Sequence, residues 1–147
     1  MKIKGGWESD LAEGERTEDK IMADMRSKGL SPIKIPGKFS DFDIFIPENR
    51  KTYEIKRDWK SQQTGNIVVE VFMFGKPSGL MATKADQWII DTGLEWIHIT
   101  PDQIKNCIIQ TGQQLRTFVG SGDQTAKKAY LVPKQQLINY AETIRKQ

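Results

Sequence analysis

Thr52-Tyr53-Glu54-Ile55-Lys56-Arg57-Asp58 reads as a β-strand with two unlike faces. Successive strand side chains point to opposite sides. Tyr53 and Ile55 therefore turn one way, and Glu54, Lys56 and Asp58 the other. The first face suits a core. The second lines up two carboxylates and an ammonium, an arrangement that is costly near an apolar interior unless the charges are paired or bind something.

The flanking sequence supplies partners for this strand. Phe42–Ile46 reads as a preceding strand and 47–51 as a turn, which makes a hairpin. Phe42, Ile44 and Ile46 share one face and Asp43 and Phe45 the other, so closing the hairpin carries Asp43 towards Glu54. Upstream, Gly14–Lys28 reads as a helix in which Leu11, Glu18, Ile21, Met22 and Met25 fall on one stripe. Gly29 stops it, and Ser31–Lys38, with two prolines and a glycine, reads as a loop. Downstream, 58–65 is polar and loop-like. Ile67–Phe74 is apolar on both faces except at Glu70, which predicts a central strand buried on both sides. A turn at 75–79 leads into a short helical segment up to about Gln87. Trp88–Asp91 and Trp96–Thr100 read as strands joined around Thr92-Gly93. Thr100-Pro101-Asp102 is a helix start, with Ile104, Cys107 and Ile108 as its apolar face. Leu115–Val119 and Lys128–Val132 read as a hairpin around a Gly-Ser-Gly loop. Pro133 opens a last helix, with Leu137, Tyr140, Ala141 and Ile144 inward. The pattern is that of one α/β (α+β) domain with a mixed sheet, its core at about 14–100 and a C-terminal extension at 101–147.

Bulk properties agree with a soluble globular chain. The 147 residues suffice for one hydrophobic core, and 37% hydrophobic against 28% charged is not a disordered composition. No apolar run approaches the ~20 residues that span a bilayer, and the first ten residues contain no apolar signal region. The single cysteine cannot form an internal disulfide, which suits a reducing cytoplasm. A net charge of +3 permits nucleic-acid binding without requiring it.

The acids carry the chemistry. Two carboxylates offer hard oxygen ligands to Mg²⁺, which retains several waters and takes one or two carboxylates. Such a metal lowers the pKa of bound water and neutralises charge building on a phosphate. A neighbouring lysine orients the water or steadies the transition state. Asp43, Glu54 and Lys56 thus point to metal-assisted phosphodiester hydrolysis. Glu18 sits in the middle of an apolar helical stripe, where an acid is expensive unless paired or ligating. Glu15 lies at that stripe's edge, about 60° away by the helical period. Glu70 is the other misplaced acid, either a further ligand or a partner for Lys56. Each has an ordinary alternative: a surface ion pair, a turn cap, or an acid that reaches solvent.

Glu18 on a first helix, then Asp43, then Glu54-Ile55-Lys56 resembles the PD-(D/E)XK nuclease superfamily, in particular its Holliday-junction-resolvase-like and phage-type endonucleases. Gly75-Lys76-Pro77-Ser78-Gly79-Leu80-Met81-Ala82-Thr83-Lys84-Ala85-Asp86, followed by Trp88-Ile89-Ile90, resembles a segment of phage-type members. The resemblance covers roughly 14–91 and departs at Phe42, where the motif has proline. It implies a restriction-endonuclease-like core, helix–three strands–helix–strand, and DNA cleavage with Mg²⁺, for which Mn²⁺ substitutes. It implies Asp43 and Glu54 as metal ligands, Lys56 as the catalytic lysine and Glu18 as the helical acid. If the chain is phage-encoded, the compartment is the host cytoplasm. So small a domain suits a homodimer cutting two strands. Lys76, Ser78, Thr83 and Lys84 are candidate contacts to backbone phosphates. Lys60, Arg116, Lys127 and Lys128 are candidates for a basic rim, and Gln62, Gln63 and Asn66 for base contacts. His98 and Cys107 read as structural. Of Trp7, Trp59, Trp88 and Trp96, only Trp59, just past the charged strand, stands out as a base-stacking candidate. The competing reading is a DNA-binding module of the same fold without cleavage.

Overall fold

The computed structural model describes residues 6–36, 42–119 and 126–146, and only the backbone of residues 6–13, 15 and 119. The side chains of Trp7, Leu11 and Glu15 and the Gly-Ser-Gly loop lie outside what is described.

Helix α1 (Gly6–Ser27) is longer than its apolar stripe predicts. It buries Thr17, Ile21, Met22 and Met25. Gly29 ends it with a φ of +84°. Leu30 N–H donates to the Met25 carbonyl and Gly29 N–H to that of Arg26, a Schellman closure for which glycine is the natural residue.

Strands β1 (Ile33–Lys34), β2 (Ile44–Ile46) and β3 (Lys51–Arg57) follow. The hairpin is present, with Ile44 opposite Tyr53 and Ile46 opposite Lys51. Strand β1 is an addition inside the segment expected to be a loop. A short helix α2 (Ser61–Thr64) leads to β4 (Asn66–Met73) and β5 (Lys76–Pro77), then a single 3₁₀ turn at Gly79–Met81. Strands β6 (Gln87–Asp91) and β7 (Glu95–Ile99) precede helix α3 (Pro101–Gln110), which opens on a complete capping box between Thr100 and Gln103. Strands β8 (Leu115–Val119) and β9 (Ala126–Pro133), helix α4 (Lys134–Ile138) and strand β10 (Thr143–Lys146) complete the chain.

The protein is a mixed α/β fold with two sheets. One has six strands in the order β1-β2-β3-β6-β7-β10, the other four in the order β5-β4-β9-β8. Every pairing is antiparallel except β3 with β6, which makes the first sheet mixed.

Three expectations are corrected. Ile67–Phe74 is not the central strand of the main sheet. Its β4 lies in the second sheet, with Ile67, Val69 and Val71 buried and Val68 49% exposed. The strand buried on both faces is β6: Trp88 and Ile90 join the core against β4 and α3, while Ile89 joins the core against α1. The helix expected before Gln87 is only the 3₁₀ turn. The last helix stops at Ile138, and Ile144 belongs to β10, opposite Ile97 and 41% exposed. The free edge of β7 needs hydrogen-bond partners for its backbone, and β10 supplies them.

Among the described residues, no helix is long and apolar enough to cross a membrane.

Candidate active site

Asp43 lies one residue before β2. Its backbone N–H donates to the Tyr53 carbonyl, and its Oδ2 accepts the Ile55 N–H at 2.7 Å. The carboxylate is thereby clamped against β3 beside Glu54, as the hairpin register requires. Glu54 and Lys56 share a face of β3, with Lys56 Nζ 3.3 Å from Glu54 Oε2. The Glu54 side chain is only 18% exposed and Lys56 is 45% exposed. Among the described residues, the buried Glu54 Oε2 has no well-formed hydrogen bond and is paired with the Lys56 ammonium. Burial pushes the Glu54 carboxyl above the ordinary glutamate value, Lys56 opposes that shift, and Asp43 reinforces it.

Glu18 approaches the same place from α1. Its Oε2 lies 3.2 Å from Lys34 Nζ. Burial raises its pKa, the Lys34 partner lowers it, and Asp43 raises it again. Asp43 therefore perturbs both glutamates, and the three acids form one electrostatic neighbourhood. They do not form a closed cage. Among the described residues, no group of three or more His, Cys, Asp or Glu side chains converges closely enough to hold a metal ion.

Lys34 was not foreseen, since nothing in Ser31–Lys38 distinguishes it from a loop lysine. It reaches Glu18 only because β1 pairs with β2. Trp88 was likewise unforeseen. It stands opposite Glu54 in the parallel β3–β6 register, and Lys56 Nζ lies 5.2 Å from its ring centroid, within cation–π range. Trp88 Nε1 donates to Thr83 Oγ1 at 3.1 Å. Thr83 thus positions the indole under Lys56.

Lys56 opens into a cleft of about 230 Å³ walled by Lys56, Arg57, Asp58, Trp88 and Ile90 on one side and by Ile67 and Val68 of β4 on the other. Asp58 Oδ2 accepts the Val68 N–H at 2.8 Å, tying the end of β3 to β4. Asp58, on the charged face of the quoted stretch, thus joins the two sheets.

The remaining candidates disperse. Glu70 lies in the second sheet, its Oε1 3.2 Å from Lys127 Nζ, and does not partner Lys56. Arg116 and Lys128 are exposed on β8 and β9, beside Lys127 in the second sheet. Lys76 is exposed on β5. The Ser78 Oγ is buried without a hydrogen-bond partner among the described residues. Lys84 lines a separate depression with Asp86, Asp102 and Lys105 at the start of α3. Lys60 is exposed next to Trp59, close to the Lys56 cleft. Gln62 is spent on structure, its Nε2 donating to the Thr92 carbonyl at 2.8 Å. His98 is partly buried, and burial lowers its pKa. Cys107 is fully buried on α3.

No family model matches this chain, and neither a curated protein nor a solved structure is significantly similar to it.

Proposed function

We propose that this protein is a Mg²⁺-dependent DNA endonuclease whose active site is Asp43, Glu54 and Lys56, with Glu18 as an accessory acid. The observation that carries the reading is the Glu54 carboxylate: buried, repelled by Asp43 and lacking a good hydrogen bond on Oε2. A carboxylate held at that cost, with only a half-exposed lysine to offset it, is poised for a cation. Asp43 and Glu54 fit Mg²⁺, because this ion takes one or two carboxylates and completes its shell with water and phosphate oxygens. The absence of a three-ligand cage is compatible with that coordination. Bound there, the ion would supply Lewis-acid polarisation of a phosphate and a more acidic water.

The chain's own groups account for the rest. Asp43 is oriented by the Ile55 N–H on Oδ2, and among the described residues its other oxygen has no hydrogen bond. Lys56 faces the open cleft, where an ammonium steadies negative charge on a phosphate or holds a water in line. Trp88 below it restricts where that ammonium points. Glu18 and Lys34 form a second charged pair at the margin, able to exchange partners when a polyanion arrives.

A restriction-endonuclease-like core is part of the proposal. The helix α1, the β2–β3 hairpin and β6 parallel to β3 agree with such a core. The departures are that the strand after β3 sits in a second sheet and that only a 3₁₀ turn precedes β6. A homodimer cutting both strands belongs to the same proposal.

The test is cleavage of labelled DNA by wild type, Lys56→Ala and Asp43→Asn, on a plain duplex and a four-way junction, with Mg²⁺ or EDTA. The expected result is Mg²⁺-dependent cutting that falls on the order of 10²-fold or more in each variant, as when a transition-state contact is removed. Binding without cleavage on every substrate would overturn the reading and leave a non-catalytic DNA-binding module.

A further inference from the structure

The segment just beyond Lys56 carries a feature that the hydrolytic groups do not use. Trp59 is 42% exposed, large for a residue whose ring is apolar. It is nevertheless fixed. Its Nε1 donates to Asp91 Oδ2 at 3.1 Å, and Asp91 is itself 2% exposed and held by the Thr17 hydroxyl at 3.2 Å and the Gly93 N–H at 2.8 Å. Gly93 packs so close that an added Cβ would lie 3.3 Å from Trp59 Cδ1. The Arg57 guanidinium stacks over the indole, 4.0 Å from the ring centroid. With one face covered by Arg57 and the N–H satisfied, the ring is held in one orientation while the residue stays 42% exposed.

Its position gives it a use. Arg57, Asp58, Trp59 and Lys60 line a depression of about 350 Å³. Arg57 and Asp58 also line the Lys56 cleft, so the two depressions share a border at the end of β3. Arg57 turns to the face opposite Lys56, so a strand with a phosphate at Lys56 would pass over the end of β3, beside Lys60, before its neighbouring nucleotide meets Trp59. Bases within a duplex are already stacked and present only their edges. An aromatic ring on a side wall can stack only on a base that has left the helix.

We infer that the Trp59–Arg57 pair is a stacking platform for an unpaired or splayed base next to the scissile phosphate, which makes DNA with a locally unstacked strand the preferred substrate class. This rests on the nuclease reading for the word scissile, but the platform itself is a binding property.

The test uses the full chain with Trp59→Ala and Trp59→Phe, each checked for folding by its melting curve. The probes are a plain duplex and the same duplex with a single-stranded flap whose first unpaired base is 2-aminopurine. Binding and fluorescence are read in EDTA, and cleavage is read in parallel in Mg²⁺. The platform predicts quenching of the 2-aminopurine by wild type and a roughly tenfold or greater loss of flap affinity in Trp59→Ala, the size expected for one base stacked on one ring. Plain-duplex affinity should stay within about twofold, and Trp59→Phe should retain most of the flap preference. Unquenched probe, or equal flap binding by wild type and Trp59→Ala, overturns the platform. So does a Trp59→Phe loss as large as that of alanine. Wild-type cleavage in Mg²⁺ alongside such a failure would leave the nuclease reading intact. A Trp59-dependent flap preference without any cleavage would remove the nuclease and keep the platform.

Discussion

Glu54→Gln separates a functional carboxylate from a structural one. In the native protein Glu54 Oε2 is buried without a good hydrogen bond, and Asp43 repels the charge. An unsatisfied buried polar atom costs about 1–3 kcal/mol, more if charged. Against that stands the Lys56 pair, whose ammonium is nearly half exposed and whose worth is therefore at most about 1 kcal/mol. Glutamine removes the charge, the repulsion and the ion pair together. Glutamine keeps a polar amide in the same buried place, so it removes only the excess cost of the charge; that excess, less the ion pair, favours the variant by about 1 kcal/mol at neutral pH without metal. For a chain of this size that is a rise in Tm of about 3 °C. The pH dependence has a definite sign. A carboxyl raised on folding is protonated more readily in the native state than in the unfolded one. Wild-type stability therefore falls as pH rises from the ordinary glutamate value through the raised one. Glu54→Gln abolishes this component, so its advantage should shrink as pH falls below that window. Mg²⁺ should reverse the order: at a hundredfold excess over Kd it stabilises wild type by about 2.7 kcal/mol and leaves the variant nearly unchanged. Thermal melts at several pH values, with Mg²⁺ and with EDTA, read all of this. A variant less stable than wild type in EDTA at pH 7, with no differential response to Mg²⁺, would refute the reasoning and make Glu54 a structural ion-pair member.

Two further changes test the scaffold. At Gly79 φ is +50°, and a Cβ would fall well inside contact distance of the Glu70 carbonyl, which is backbone and cannot swing aside; Gly79→Ala should cost about 2–4 kcal/mol from strain and overpacking combined, measured by urea unfolding. Lys134 Nζ lies 2.8 Å from Glu95 Oε1, with side chains 17% and 10% exposed. Lys134→Ala should cost about 2–3 kcal/mol, somewhat below the range for fully buried pairs, and the double change Lys134→Met with Glu95→Gln should recover most of it.

The hairpin and its charged face were legible because strand alternation is strict: Tyr53 and Ile55 could not face inward without Glu54 and Lys56 facing the cleft. Helix ends were legible where chemistry marks them, at Gly29 and at Thr100-Pro101. The apolar run Ile67–Phe74 misled because alternation is invisible when both faces are apolar, and nothing in it distinguishes one sheet from another. Strands β1 and β10 were hidden for a different reason. Both are short, polar edge strands, defined by the partner that pairs with them more than by their own residues. Ile144 fitted a helical spacing by coincidence. In the site, Glu18, Asp43, Glu54 and Lys56 stood out as charges set into apolar patterns. Lys34, Trp88 and Asp91 did not, because their significance comes from neighbours distant along the chain: Lys34 beside Glu18, Trp88 beneath Lys56, and Asp91 holding Trp59 against α1.

The parallel pairing of β3 with β6 has a consequence for how the molecule is assembled. The chain leaves β3 at Arg57 and returns to it at Gln87, and the segment between them builds β4, whose long neighbour β9 begins only at Ala126. Contacts so far apart in sequence close late, because loop entropy is lost before they repay it. Glu18, Asp43, Glu54 and Lys56 can all be translated, and the hairpin paired, while Ile67 and Val68 have no settled position. The wall opposite Lys56 then waits on the last quarter of the chain. A nascent or partly folded copy would hold Asp43, Glu54 and Lys56 on an open sheet face, wet and unconfined, and the cleft would come into being only when β9 locks β4 in place.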